Sequence, residues 1–139
     1  MIAGPSEGRC AALRVLLGGS PGIAVCGEAY DGAAAVRVAQ RERPDLCLVS
    51  DEPGFDSAAL MAVLAGRLPH VRTVLSGVEP DDDRLLAAVA AGASGYVEAD
   101  AEPGAFASAL FDVASGHPAF PRRLARLLIA RLRAEARGV

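Results

Sequence analysis

Apolar and polar positions along this chain fall into two alternating patterns. Short strand-like runs occupy residues 23–26, 46–49, 71–76 and 94–97, the second of them continuously apolar. Runs of that length bounded by turn residues read as strands, and residues 46–49, apolar on both faces, read as a buried parallel strand. Between them lie stretches with helical spacing. Ala12, Leu13, Leu16 and Leu17 share one side of the first, and residues 33–42 form the second. Leu60, Met61, Val63, Leu64 and Leu68 mark the third, Leu85, Leu86, Val89 and Ala90 the fourth, and Phe106, Leu110, Phe111 and Val113 the fifth. Ser6, Asp31 and Asp56 stand where N-caps belong, and Asp81-Asp82-Asp83 suits the positive end of a helix dipole. Pro44, Pro69, Gly92 and Gly116 close the helices. Strands alternating with helices predict an α/β domain whose parallel sheet is covered on both faces.

The two ends of the chain depart from this rhythm. Only residues 1–3 are apolar before Gly4-Pro5, so the first strand is short or missing. Residues 14–17, followed by Gly18-Gly19, are a rival for that place. After His117-Pro118, a helix over residues 121–136 carries Leu124, Leu128 and Leu132 on one stripe, with Leu127 and Ile129 beside it. Arg122, Arg123, Arg126, Arg131 and Arg133 surround the stripe. Residues 1–117 thus read as one domain, and residues 118–139 as a C-terminal linker or dimerisation helix that docks on that domain or pairs with a copy of itself. Leu124, Leu128 and Leu132 are its expected interface.

Composition narrows the classes. A chain of 139 residues with 52% hydrophobic and 22% charged residues suits a single globular domain and not a disordered segment. The longest nearly uncharged stretch, residues 85–97, is too short for a bilayer, which takes roughly 20 residues. The N-terminus shows no secretory-signal pattern. A cytoplasmic protein without membrane association is expected. Cys10, Cys26 and Cys47 lack metal-ligand spacing; two of them lie in apolar strand patterns and read as buried free thiols. Every basic residue is Arg. Residues 1–117 hold 8 Arg against 16 acids, net −8, and residues 118–139 hold 6 Arg against 1 acid, net +5. An acidic body with a basic tail does not read as a general nucleic-acid binder. His70 and His117, each beside a proline, read as solvated, and no Ser/His/acid group, P-loop, EF-hand or zinc pattern is present.

Five motifs then follow one another in register: Gly27-Glu28-Ala29-Tyr30-Asp31-Gly32, Arg43-Pro44-Asp45, Ser76-Gly77, Ala91-Gly92-Ala93-Ser94-Gly95-Tyr96, and Ser115-Gly116 with Pro121. Over residues 6–133 the chain resembles receiver domains of the response-regulator superfamily, above all the NarL-type branch whose receivers precede a LuxR-type helix-turn-helix. The resemblance implies a flavodoxin-like (CheY-like) sheet of strand order 2-1-3-4-5, helices on both faces and an extra C-terminal helix. It also implies a place in two-component signal transduction and transcription regulation.

The same register shows what is missing. The family's phosphorylatable Asp falls on Ser50. Its Mg²⁺-holding acidic pair falls on Gly4 and Pro5, and its Lys after the fifth strand falls on Ala99. Ser76 and Tyr96 remain at the switch positions. A serine forms no acyl phosphate, and the Ser50 hydroxyl has no evident base beside it. Mg²⁺ wants oxygen ligands, and phosphoryl transfer depends on neutralising charge. The expectation is a pseudo-receiver: not an enzyme, holding no metal or cofactor, working through a protein partner or a homodimer. The helix-turn-helix implied by the resemblance would follow residue 139, so this chain alone is not expected to bind specific DNA. Two rivals stay open. Asp51 could be the acceptor if the strand end rearranges, since a one-residue slip sends side chains to the opposite face; otherwise Asp51 or Glu52 is a solvated loop acid or a cap near the next helix. Alternatively, the vacated acidic pocket could sense a small molecule.

Overall fold

The computed structural model describes residues 1–138. Five strands, β1 (Ile2–Ala3), β2 (Glu28–Ala29), β3 (Leu46–Ser50), β4 (Arg72–Gly77) and β5 (Gly95–Glu98), alternate with helices. The helices are α1 (Glu7–Gly18), α2 (Gly32–Glu42), α3 (Ser57–Arg67), α4 (Asp82–Ala90), α5 (Pro103–Ala114) and α6 (Arg123–Ala136). All strand pairs are parallel, and the order is β2-β1-β3-β4-β5, as the resemblance implied.

The core follows from the two-residue period of strands. Leu48 and Val74 point to one face, where they meet Cys10, Leu13 and Leu17 of α1 and Phe106, Leu110 and Val113 of α5. Val49 and Leu75 point to the other, against Leu60 and Leu64 of α3 and Leu85 of α4. Both faces are buried, so the central strands can be apolar throughout. Helix starts lie where the caps foretold. Ser6, Asp31, Asp56 and Asp81 each accept a hydrogen bond from the backbone N–H three residues on, satisfying donors that a helix leaves unpaired.

Three expectations need correction. Residues 23–26 form no strand; β2 consists of Glu28 and Ala29 alone. The cause is the two-residue β1, which gives the preceding residues nothing to pair with. Residues 14–17 lie in α1, with Leu17 buried, and are not a first strand. The buried thiols are Cys10 and Cys47, whereas Cys26 is exposed.

The C-terminal segment packs on the sheet domain. Ala119 bridges Gly95 at the edge of β5, where Tyr96 N–H donates to the Ala119 carbonyl. Leu124 is only 6% exposed and joins the core, with Leu127 and Leu128 packed against it. Leu132, at 64% exposure, faces outward. Arg123 donates to the Pro80 carbonyl and to Asp82, tying the start of α6 to the start of α4. No helix among the described residues is long and apolar enough to cross a membrane.

Candidate functional site at the carboxyl end of the sheet

In open α/β sheets, chemistry gathers beyond the carboxyl ends of the strands. Here Gly4, Ser50, Ser76 and Ala99 lie at those ends. Parallel pairing sets Ser50 beside Ser76. Ala99 follows β5 directly, its N–H held by the Gly77 carbonyl. Ser50 and Ser76 are both buried, at 0% and 1% exposure.

Ser50 is enclosed from two sides. Its Oγ donates to Glu52 Oε2 at 2.9 Å. The sequence suggested no base near this hydroxyl, but the chain turns back after β3 and brings the Glu52 carboxylate onto it. Gly4 closes the other side: a Cβ there would lie 2.7 Å from Ser50 Cβ and 3.4 Å from Glu52 Oε2. Even alanine is too large without movement. Pro5 follows, exposed and without a ligand atom in its side chain. Among the described residues Ser76 Oγ has no hydrogen-bond partner.

These residues do not fit the Mg²⁺ ion that the family register implies. The family's acidic pair would project where Gly4 already touches Ser50, and of this set only Glu52 carries a carboxylate. Mg²⁺ demands near-octahedral oxygen coordination. No cluster of three His, Cys, Asp or Glu side chains suited to a metal ion occurs among the described residues.

Asp51 lies on the opposite face, as the alternation of a strand requires. Its N–H still pairs with the Ser76 carbonyl at 2.7 Å, so the backbone has not slipped. Its carboxylate turns toward α3 and α4, where both oxygens accept from the Arg84 guanidinium, Nε at 2.9 Å and Nη2. Arg84 Nη2 also reaches Ser57 Oγ at 3.2 Å. Asp51 is therefore neither a solvated loop acid nor a helix cap. The hydrogen bond to Asp51 raises the Arg84 pKa further above its ordinary value.

Tyr96 completes the group. It is 4% exposed, and its hydroxyl lies 2.9 Å from the Val78 carbonyl and 3.1 Å from Asp51 Oδ2. One phenol proton serves both acceptors. Burial first, then the negative Asp51, push the Tyr96 pKa well above the usual phenol range. Gly77 makes room: a Cβ there would stand 2.8 Å from the Tyr96 hydroxyl and 3.0 Å from Asp51 Cβ. Asp51, Ser57, Arg84 and Tyr96 thus bind β3, α3, α4 and β5 into one unit, bordering an open groove of about 520 Å³.

Sequence reasoning singled out Ser50, Asp51, Ser76 and Tyr96, and the structure brings them to one end of the sheet. It missed Arg84 and Ser57, and it left Glu52 as a loop acid or cap where the structure turns that carboxylate onto Ser50. Arg84 carried a faint signal, a cation in the first turn of a helix opened by three Asp.

No protein-family model matches the chain. The DNA-binding transcriptional activator DevR/DosR of Mycobacterium tuberculosis is 34% identical over 122 residues, 87% of this chain and 56% of the relative. The nitrate/nitrite response regulator protein NarL of Escherichia coli is 30% identical over 88% of this chain and 57% of its own length. Among solved structures, a LuxR-family two-component response regulator from Aurantimonas aligns with TM-score 0.81 at 25% identity, covering 96% of each chain. This is the receiver fold of response regulators. The chain spans a little over half the length of the curated relatives it matches. Its homologues and structural neighbours are receivers and regulators of the NarL/LuxR type.

Proposed function

We propose that this receiver is an atypical signalling module of a NarL/LuxR-type response regulator, acting in transcription regulation through protein contacts and without aspartate phosphorylation. One observation carries the reading: the acceptor position is a buried serine closed in by Gly4 and Glu52, while the neighbouring Asp51 is held on the other face by Arg84 and Tyr96. The internal ion pair holds Tyr96 and α4 in place with no labile phosphate. Partner contact then falls to surfaces such as α4, β5 and α5, or to the outer side of α6, through which a homodimer would form.

The test is exposure to beryllofluoride, or acetyl phosphate, with Mg²⁺. Amide NMR shifts around Ser50, Asp51 and Ser76 are expected to stay where they are, and the melting temperature with them. A second reading, phosphorylation of Asp51, is favoured by the position of that carboxylate beside the groove. Shifts that appear with beryllofluoride and vanish in Asp51→Asn would establish it and overturn the first.

A further inference from the structure

On the face of the sheet that bears Asp51, two neighbouring helices leave a groove between them. α2 and α3 have 11 residues each, and each follows a strand of a parallel sheet. Both therefore run back from the carboxyl end of the sheet, side by side. Ala35 and Ala39 of α2 and Leu60 and Leu64 of α3 are buried in the core beneath them. Above lies a groove of about 660 Å³, floored by Val36, Phe55, Leu60 and Val63. Leu60 is buried, whereas Val36, Phe55 and Val63 keep part of their surface open to solvent.

The charges along this groove are ordered. Where both helices start stand Asp31 and Asp56, exposed, each capping its own helix through one oxygen. Arg37 stands about a turn and a half into α2, and Arg67 closes α3. Both arginines line the groove and are exposed. Neither pairs with an acid among the described residues. The groove is thus negative where its helices begin and positive toward where they end.

We propose that the α2–α3 groove docks an amphipathic helix of a partner protein, antiparallel to α2 and α3, with acids in its first turn and bases in its last. The walls are helices, so the groove offers no free strand edge to an extended peptide. A helix satisfies its own backbone and brings an apolar stripe to the floor. Helices of 11 residues are about 16 Å long, which gives room for about three turns. In the antiparallel direction the incoming first turn lies by Arg37 and Arg67, and the last turn by Asp31 and Asp56. Acids first and bases last are also what the incoming helix's own dipole favours. A second copy of this chain fits poorly. Its outward apolar pair, Ile129 and Leu132, lies on α6, which begins at Arg123 and carries Arg131 and Arg133 near its end. Either direction would set arginine against Arg37 and Arg67. This surface lies apart from α4, β5, α5 and α6, and it rests on the reading of the chain as a module that works through protein contacts.

The test is NMR titration of the 139-residue chain with two synthetic peptides of about three turns, held helical by a side-chain staple. Both carry the same leucine stripe. One opens with Asp-Glu-Glu and closes with Arg-Arg; the other exchanges those ends. The first is expected to shift amides in α2 and α3 and to bind about tenfold more tightly than the second, because like charges set together disfavour the wrong partner. Arg37→Glu combined with Arg67→Glu is expected to abolish that preference and to leave the melting temperature unchanged, since both side chains are exposed and unpaired. No shift from either peptide at millimolar concentration would overturn the proposal. So would equal binding of the two, a preference that survives the double substitution, or shifts confined to α4, β5, α5 or α6. None of these outcomes alters the response to beryllofluoride, so failure of this surface and failure of the phosphorylation-free reading are told apart.

Discussion

At the scale of single residues, the step from Ser50 to Asp51 decides what this end of the sheet can do. One position along a strand exchanges the acceptor face for the face of α3 and α4, and Arg84 holds Asp51 there. Arg84→Met leaves the Asp51 carboxylate, 15% exposed, without its cation. The cost is expected to be about 1–2 kcal/mol in urea denaturation, below the figure for a fully buried pair because the Arg84 side chain is 38% exposed. Tyr96→Phe removes one hydroxyl shared by two acceptors and is expected to cost about 1 kcal/mol in the same measurement. Cys47 gives a pH signature. Burial pushes its thiol from 9.0 up to about 12. Below pH 9.0 the thiol is protonated in both folded and unfolded chains. Above it the unfolded chain ionises first and binds fewer protons, so stability falls as pH rises toward about 12. Tyr96, also raised, acts with the same sign. The melting temperature should therefore drop less steeply between pH 9 and 11 in Cys47→Ala than in the parent chain, each compared with its own value at pH 7.

At the scale of elements, what could be read in advance was whatever local chemistry decides. Asp31, Asp56 and Asp81 cap helices because the bond they accept comes from three residues away. β3 was legible because a strand buried on both faces is apolar along nearly its whole length, and β4 by Val74 and Leu75 at its centre. Residues 23–26 carried the same pattern and formed no strand, since pairing depends on a neighbour that their own sequence does not describe. The ion pair of Asp51 with Arg84 joins positions 33 residues apart, and no spacing rule reaches that far. Nor did helical periodicity distinguish the roles of Leu124, Leu128 and Leu132. They share a stripe, but the domain packs against the first part of α6, so Leu124 is buried and Leu132 exposed. Their energetics should divide accordingly. Leu124→Ala is expected to destabilise by about 2–3 kcal/mol, near the low end for a core leucine, and Leu132→Ala by no more than about 0.5 kcal/mol, both read from denaturant midpoints.

At the scale of the whole molecule, the question is which surface remains available to a partner. Leu124, Leu127 and Leu128 are already engaged with the domain, so the tail's outward apolar surface is Ile129 at 49% exposure and Leu132 at 64%. These lie amid the arginines of a segment of net +5, on a body of net −8. Two copies that brought these surfaces together would cover both leucines and isoleucines and bring each basic tail near an acidic body. Such an assembly should be a dimer by sedimentation and weaken with salt, because the charge contribution is screened beyond about 10 Å at 0.1 M. Leu132→Asp is expected to convert it to a monomer while leaving the melting temperature of the dilute chain unchanged. Leu128 is a poorer probe, since an acid there would also disturb the packing on α4. A dimer mass that survives Leu132→Asp would place self-association elsewhere. The α4–β5–α5 face would then be the surface to examine, since it is the one the Asp51–Arg84–Tyr96 group holds in shape.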